Sequence, residues 1–357
     1  MDFTKAEKLE SQNEVQQPQQ PTKGTSFFRT CFNGLNALSG VGILSLPYAL
    51  AQGGWLSLFL LFLVAVLCWY TGLLLRRCMD THPLIKTYPD IGERAFGYKG
   101  RAVVSVFMYV KLYLVAVEFL ILGDNLDKLF PNTAFKVAGM KIRGKVMLTS
   151  LIVLPTTWLK SLALLAYVSA VFPTLCSSMK DRSKFSKVLL VCFITSTINY
   201  GSMAVMGYLM FGEHLKSQVT LNLPIKKMTT KIAIYTTLIN PLTKYAIITT
   251  PITTAIEETS LFCNSRSLSI LIRTALVSST VIVALTIPFF GYVMAFIGSF
   301  LSVTASMLLP CLCYLKLNKA ARKMGLELII IVAILVAGLF IGVVGTFTSI
   351  KQIVKHL

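Results

Sequence analysis

Apolar segments long enough to cross a lipid bilayer recur along almost the whole chain after residue 26. A transmembrane helix needs about 20 mostly apolar residues. The candidate segments lie near residues 28–50, 55–75, 103–123, 146–159, 161–179, 188–210, 232–255, 270–290, 292–315 and 326–350. Only 14% of the residues are charged, whereas soluble domains are about 25% charged. The sequence therefore predicts an all-α polytopic membrane protein, with one transmembrane domain over 27–357 and a disordered, cytosolic tail over 1–26.

The charged residues indicate membrane orientation rather than nucleic-acid binding. The formal net charge is +19, but the lysines and arginines lie mainly in short loops between apolar segments, where they set topology. We therefore expect the lipid bilayer, and no nucleic acid, as a partner. His82, His214 and His356 fall in predicted loops or the tail, so we expect no histidine metal site within the membrane. No nucleophile–base pair stands out, so we expect neither an enzyme nor a cofactor.

Two of the apolar segments fit a membrane span poorly. The segment 146–159 covers only about 21 Å as a helix, against a hydrocarbon core of about 30 Å. The segment 161–179 is interrupted by Pro173. With the N-terminus in the cytosol and 161–179 treated as a hairpin that enters and leaves on one side, most of the 34 lysines and arginines fall on the cytosolic side. The positive-inside rule favours that arrangement over a full span.

The first apolar segment contains a stretch that is poorly suited to a continuous helix. Ser39, Gly40 and Gly42 lie in its middle, ahead of Pro47. Glycine weakens a helix and lets another group approach the main chain closely. A helix broken at mid-membrane is how many transporters present N–H groups to a substrate carboxylate and carbonyls to a cation. The alternative is that Gly40 and Gly42 only allow close packing of neighbouring helices.

Several sequence blocks resemble those of the amino acid/auxin permease family, in particular its plant vacuolar branch and the related vesicular inhibitory amino acid transporters. The blocks are Thr30–Asn36, Pro47–Ala49, Tyr88–Gly92, Gly123–Leu126, Ala204–Tyr208, Phe211–Glu213 and Asn240–Tyr245. The resemblance covers about residues 27–350. It implies a LeuT-like transporter fold of two inverted repeats that carries amino acids, commonly with protons. In the plant branch such carriers are largely vacuolar.

The chain departs from the family pattern in one large way. In the family, the motif matched by Leu165–Ala170 opens the fifth helix and the motif matched by Val171–Pro173 closes the sixth. Here the two motifs are adjacent, so on the order of 50 to 60 residues of two broken helices and their loop are missing relative to the family. We therefore expect an incomplete fold, with about nine spans and a fused or re-entrant segment over 161–179.

Few ionisable residues lie deep inside the predicted spans, where such groups are functional candidates by default. Glu118 is a candidate for proton coupling. The alternative is a structural carboxylate paired with Lys111, seven residues earlier and on roughly the same helix face, or with polar neighbours. Lys244, beside Thr243, matches a family position, and the resemblance implies a fixed cation that faces the broken helix. The alternative is that Lys244 forms a structural ion pair or extends its side chain to the membrane surface.

The backbone of the broken stretch completes the predicted site. Asn36, Ser39, Gly40, Val41 and Gly42 are the candidates for substrate binding, and the resemblance places them near the substrate or the cation. The predicted function is secondary active transport of neutral amino acids across a vacuolar or other endomembrane, coupled to protons. The alternative is a transport-inactive, truncated variant that acts, if at all, through association with other proteins.

Overall fold

The computed structural model describes residues 25–356 except 83–84, 86, 123–135, 138–139, 142–148, 151–152, 156, 158–170, 225–227, 260–265, 287–289 and 324. The fold is almost entirely helical. Its helices are α1 (Phe27–Leu38), α2 (Leu46–Gly53), α3 (Leu56–Asp80), α4 (Tyr88–Ile121), α5 (Val171–Ser178), α6 (Phe185–Phe211), α7 (Met228–Thr259), α8 (Arg266–Thr286), α9 (Phe290–Phe296), α10 (Leu309–Leu317) and α11 (Leu326–His356). The described residues also include one short antiparallel pair of strands, β1 (Lys136–Val137) and β2 (Met140–Lys141).

The expectation of an all-α polytopic membrane protein is confirmed. Within the described ranges, 6 helices are long and apolar enough to cross a membrane, or 7 if the bent pair formed by α1 and α2 counts as one span. The predicted segment 232–255 lies inside α7, which is 32 residues long and contains Pro241 and Pro251. The predicted segment 146–159 and the first part of 161–179 fall mainly outside the described residues, whereas the last part of 161–179 forms α5.

The longest helix, α4, combines two segments of different character. Its start carries a capping box, because Thr87 and Asp90 bond each other's backbone N–H groups, which satisfies N–H groups that lack helical partners. Gly97 has φ 68° and marks a kink, a backbone conformation that glycine adopts at little cost. From Ala102 onward α4 is mostly apolar, and this part carries Lys111 and Glu118.

The buried side chains form two clusters that lie around different halves of α4. One cluster joins the end of α3 with the start of α4, and with α6, α10 and α11. The other joins the end of α4 with the broken stretch, α7 and α8. Between α9 and α10 the chain runs through two π-helical segments, Ile297–Ser302 and Thr304–Leu308. Such segments leave some carbonyls without their usual α-helical partners.

Large apolar side chains cover much of the outer surface, as expected for helices that face lipid. On α11, Phe340, Val343 and Phe347 are exposed to between 67% and 69%. Only 17% of the most apolar window of this helix is buried within the protein. In water an apolar patch of this kind would be unfavourable, whereas in a bilayer it contacts acyl chains. The outer surface therefore supports a membrane location independently of the sequence pattern.

Candidate substrate and coupling site

The predicted break in the first apolar segment is present. α1 ends at Leu38, and a 3-10 turn over Val41–Ser45 leads into α2, with the two halves of the span inclined by 50°. The N–H of Ser39 reaches the carbonyl of Leu35 at 2.8 Å, but the N–H of Gly40 turns back to the carbonyl of Leu38 at 2.8 Å. The helical ladder is interrupted at this point. The last carbonyls of α1 and the first N–H groups beyond the break therefore need other partners.

Two side chains from other helices bind the carbonyls at the end of α1. The ammonium Nζ of Lys244 on α7 donates to the carbonyl of Asn36 at 3.1 Å and to that of Ser39 at 3.2 Å. The hydroxyl of Tyr200 on α6 donates to the carbonyl of Leu38. The carboxyl end of a helix carries the negative end of its dipole, where a cation is stabilised. Lys244 thus occupies the position of a cation at the break.

The two glycines of the break are not packing glycines of the ordinary kind. A Cβ atom built on Gly40 would meet only the N atom of Gly42, at 4.0 Å, and one on Gly42 would meet the flexible tip of Met294 at 3.1 Å. By contrast, a Cβ atom on Gly207 of α6 would lie 2.5 Å from Pro47. Gly207 therefore allows the close contact between α6 and α2, whereas the main chain at Gly40 is open to approach by a ligand.

Glu118 is buried on α4, between two residues that belong to the second buried cluster. Its side chain is 3% exposed, and its Oε1 atom has no hydrogen-bond partner among the described residues. Its neighbours Val117 and Phe119 share that cluster with Leu44 of the break and with Tyr245, the residue after Lys244. Of the two interpretations, pairing of Glu118 with Lys111 finds no support, since no ion pair joins these residues in the described structure.

The remaining predicted site residues are arranged around the break in different ways. Lys244 contacts the main-chain carbonyl of Asn36. Asn36 itself is exposed. The hydroxyl of Thr243 donates to the carbonyl of Ile239 at 3.1 Å, within its own helix. The side chain of Val41 lies outside the described residues, although its backbone begins the 3-10 turn. The fold therefore brings together Lys244 and the backbone of the break.

Sequence reasoning missed one buried ion pair near the end of α7. Arg273 is 5% exposed, and its Nε donates to the Oε1 of Glu257 at 3.2 Å. One further N–H of Arg273 donates to the carbonyl of Thr157 at 2.6 Å. The two charged residues are 16 positions apart and lie on different helices. No local spacing rule connects such positions, so the pair became visible only with the fold.

A bundle of apolar helices in which one span is broken and a cationic side chain binds at the break has features found in many membrane transporters. Residues 23–172 and 166–354 match the sequence model of the family described as transmembrane amino acid transporter protein. The chain belongs to this family, and its relatives include proteins named as amino acid transporters. This confirms the family resemblance that the sequence predicted, and it places the chain among membrane transporters.

Three similar proteins illustrate the range of the family. Amino acid transporter AVT1J from Arabidopsis thaliana is 42% identical over 404 residues, with 97% of this chain and 96% of the relative covered. Amino acid transporter AVT1I from the same plant is 46% identical over 387 residues, with 92% and 96% covered. The vesicular inhibitory amino acid transporter of Xenopus laevis is 25% identical, with 80% of this chain and 69% of that protein covered.

The same comparisons locate an internal difference in length. The alignment with the first of these relatives runs over 404 residues, although this chain has only 357. The family match is divided into two parts that meet at residues 166–172. This is the place where the motifs of Leu165–Ala170 and Val171–Pro173 adjoin in the sequence. Relative to these proteins, the chain therefore lacks an internal segment of tens of residues.

Proposed function

We propose that this chain is a secondary active transporter of neutral amino acids that couples their movement to protons, in a vacuolar or other endomembrane with its N-terminus in the cytosol. Amino acid transport is the activity that gives the family its name. Support for the finer statement comes from the break, from Lys244 and from Glu118. The observation that carries it is the contact of the Lys244 ammonium with the carbonyls of Asn36 and Ser39.

The break offers groups that suit an amino acid with an uncharged side chain. Beyond the break, the N–H groups of Val41 and Gly42 begin a new helical turn, and such groups stabilise a carboxylate. The stretch from Asn36 to Ser45 contains no acidic or basic side chain. A basic substrate side chain would therefore find no counter-charge within this stretch, and the ammonium of Lys244, the nearby cation, would repel it, which favours neutral over basic amino acids.

Lys244 supplies a fixed positive charge at the place where other carriers of this architecture hold a metal cation. Because its ammonium already occupies two carbonyls of α1, the break needs no sodium ion to satisfy them. The driving ion must then act elsewhere. This argument favours a proton over sodium as the coupled ion.

Glu118 is the proposed proton carrier. An unpaired charge in a buried position is unfavourable by several kcal/mol, and binding of a proton removes that charge. At 3% exposure and with an unpartnered Oε1 atom among the described residues, this carboxyl would respond strongly to gain or loss of a proton. Its neighbours Val117 and Phe119 belong to the same buried cluster as Leu44 of the break, so a rearrangement of α4 at Glu118 would act on the packing around the break.

Uptake by the purified chain in proteoliposomes tests the proposal. An imposed pH gradient should drive accumulation of radiolabelled neutral amino acids such as alanine, and a proton ionophore should abolish the accumulation. The variant Glu118→Gln should lose accumulation against a gradient but retain exchange of labelled for unlabelled substrate, because exchange needs no net proton movement. Accumulation by Glu118→Gln equal to that of the parent chain would exclude Glu118 as the carrier.

A second candidate function is that of a transport-inactive variant of such a carrier. The family match that divides at residues 166–172 favours it, since a helix that contributes to the substrate site in this architecture is shortened. In that case the reconstituted chain would be folded and monodisperse but show no exchange of any amino acid. Co-reconstitution with a full-length relative would then change the transport rate of that relative.

A further inference from the structure

A cavity of about 280 Å³ lies between the end of α1, α3, α4, α6 and the π-helical segment before α10. Its walls are mostly apolar. The polar side chains that line it are Cys68, Thr71, Tyr88, Lys111 and Ser306. Binding sites for small molecules commonly combine an apolar cavity with a few placed polar groups. We therefore asked which chemistry these polar groups leave available.

The hydroxyl groups in the wall are already engaged with the π-helical segment Thr304–Leu308. The hydroxyl of Thr71 donates to the carbonyl of Ser306 at 2.6 Å, and that of Tyr88 donates to the carbonyl of Ala305 at 2.7 Å. These carbonyls belong to the segment whose regular ladder is interrupted. The two hydroxyl protons therefore hold the wall together, and a ligand would not meet them as free donors.

Among the described lining residues, Lys111 is the charged side chain and none is acidic. Within the described part of the chain, no ion pair satisfies its ammonium. Glu118, two helical turns further along α4, has its own unpartnered oxygen. A cation in the membrane interior without a counter-charge is unfavourable. An anionic group placed in the cavity would supply the missing counter-charge.

We propose that this cavity binds a small monocarboxylate with an apolar body, whose carboxylate pairs with the ammonium of Lys111. A volume slightly below the usual range for drug-sized ligands suits a molecule of about ten non-hydrogen atoms. The lining residues that the structure describes offer no carboxylate for a ligand ammonium, so a zwitterionic amino acid is a poorer occupant. The cavity adjoins the break at Ala37 and Leu38, but its charged group is Lys111 rather than Lys244, and binding of a monocarboxylate there goes beyond the proposed transport function.

Cys68 lines the same cavity, so its rate of alkylation reports whether a ligand occupies the cavity. It is partly exposed, whereas the other described cysteines are buried. With the full chain in phosphatidylcholine nanodiscs, the rate of alkylation at Cys68 by N-ethylmaleimide can be followed by site-resolved mass spectrometry. Hexanoate should slow alkylation in a saturable manner. Hexylamine, which has a similar apolar body and the opposite charge, and leucine should protect at least about tenfold less well.

Variants at Lys111 distinguish an ion pair between its ammonium and the ligand carboxylate from apolar binding of the ligand in the cavity. Lys111→Met should raise the hexanoate concentration for half-protection about tenfold or more, whereas Lys111→Arg should largely retain protection. Lys231→Met, an exposed lysine on α7, is the matched control and should leave protection unchanged. Equal protection by hexanoate and hexylamine in the parent chain, or unchanged protection in Lys111→Met, would overturn the proposal. If Lys111→Met does not fold, the comparison of hexanoate, hexylamine and leucine on the parent chain decides alone.

Discussion

Replacing Lys244 by methionine tests the contact at the end of α1 most directly. Methionine keeps an unbranched side chain of similar length but has no ammonium. The variant removes two hydrogen bonds from a charged donor, at 3.1 and 3.2 Å, and leaves the carbonyls of Asn36 and Ser39 without this partner. The change therefore isolates the contribution of the charge to the stability of the break.

The expected loss of stability follows from these two bonds. A hydrogen bond from a charged donor contributes about 1.5–3 kcal/mol, so the two bonds together contribute about 3–6 kcal/mol before solvent is considered. Lys244 is only partly buried, and water can replace part of the lost interaction. We expect a net decrease in the free energy of unfolding of about 2 kcal/mol, which lowers the Tm of a chain of this size by about 3 °C.

Thermal unfolding of the purified protein in a mild detergent measures this effect. Lys231→Met serves as the control, because it removes an exposed lysine from the same helix, and it should change the Tm by less than about 1 °C. The variant Lys244→Arg should recover most of the stability, since a guanidinium also donates to carbonyls. A Tm of Lys244→Met equal to that of the control would refute the reasoning.

Further predictions concern close packing and the buried ion pair. Gly207→Ala should lower the free energy of unfolding by about 1–3 kcal/mol, because the added Cβ atom would lie 2.5 Å from Pro47. Gly201→Ala is the control and should be neutral or stabilising, because a Cβ atom there would meet nothing within 4 Å. Measurements of Tm compare the two variants. Glu257→Gln should lower stability by about 3–5 kcal/mol because it leaves Arg273 buried without its charge partner. The double variant with Arg273→Met should be more stable than Glu257→Gln alone, as a double-mutant cycle will show.

The sequence predicted the features that depend on local chemistry. The break at Ser39–Gly42 followed from glycines within an apolar segment, and the burial of Glu118 followed from its position in the middle of a span. The partners of these groups were less accessible. That Lys244 donates to carbonyls of Asn36 and Ser39, more than 200 positions earlier, depends on how α7 packs. The resemblance indicated only that it faces the broken helix.

Other features had no sequence signal at all. The π-helical segments over 297–308 read simply as part of an apolar span, because side-chain periodicity does not record one additional residue in a turn. Gly207 matched a family block without revealing that it contacts Pro47. Gly40 faces open space, whereas Gly207 is packed against Pro47. This difference depends on tertiary neighbours, so it cannot be predicted from the residue type, which is glycine at both positions.

The hydrogen bonds at the end of α1 also have a mechanical consequence. Lys244 and Tyr200 reach this end from two different helices, α7 and α6. α1 cannot tilt away from either helix without first exchanging these bonds for contacts with water or with a ligand. The end of α1 is therefore tied to both helices by the same short run of carbonyls. A molecule that binds at the break and competes for these carbonyls would lower the barrier to movement of α1 away from α6 and α7.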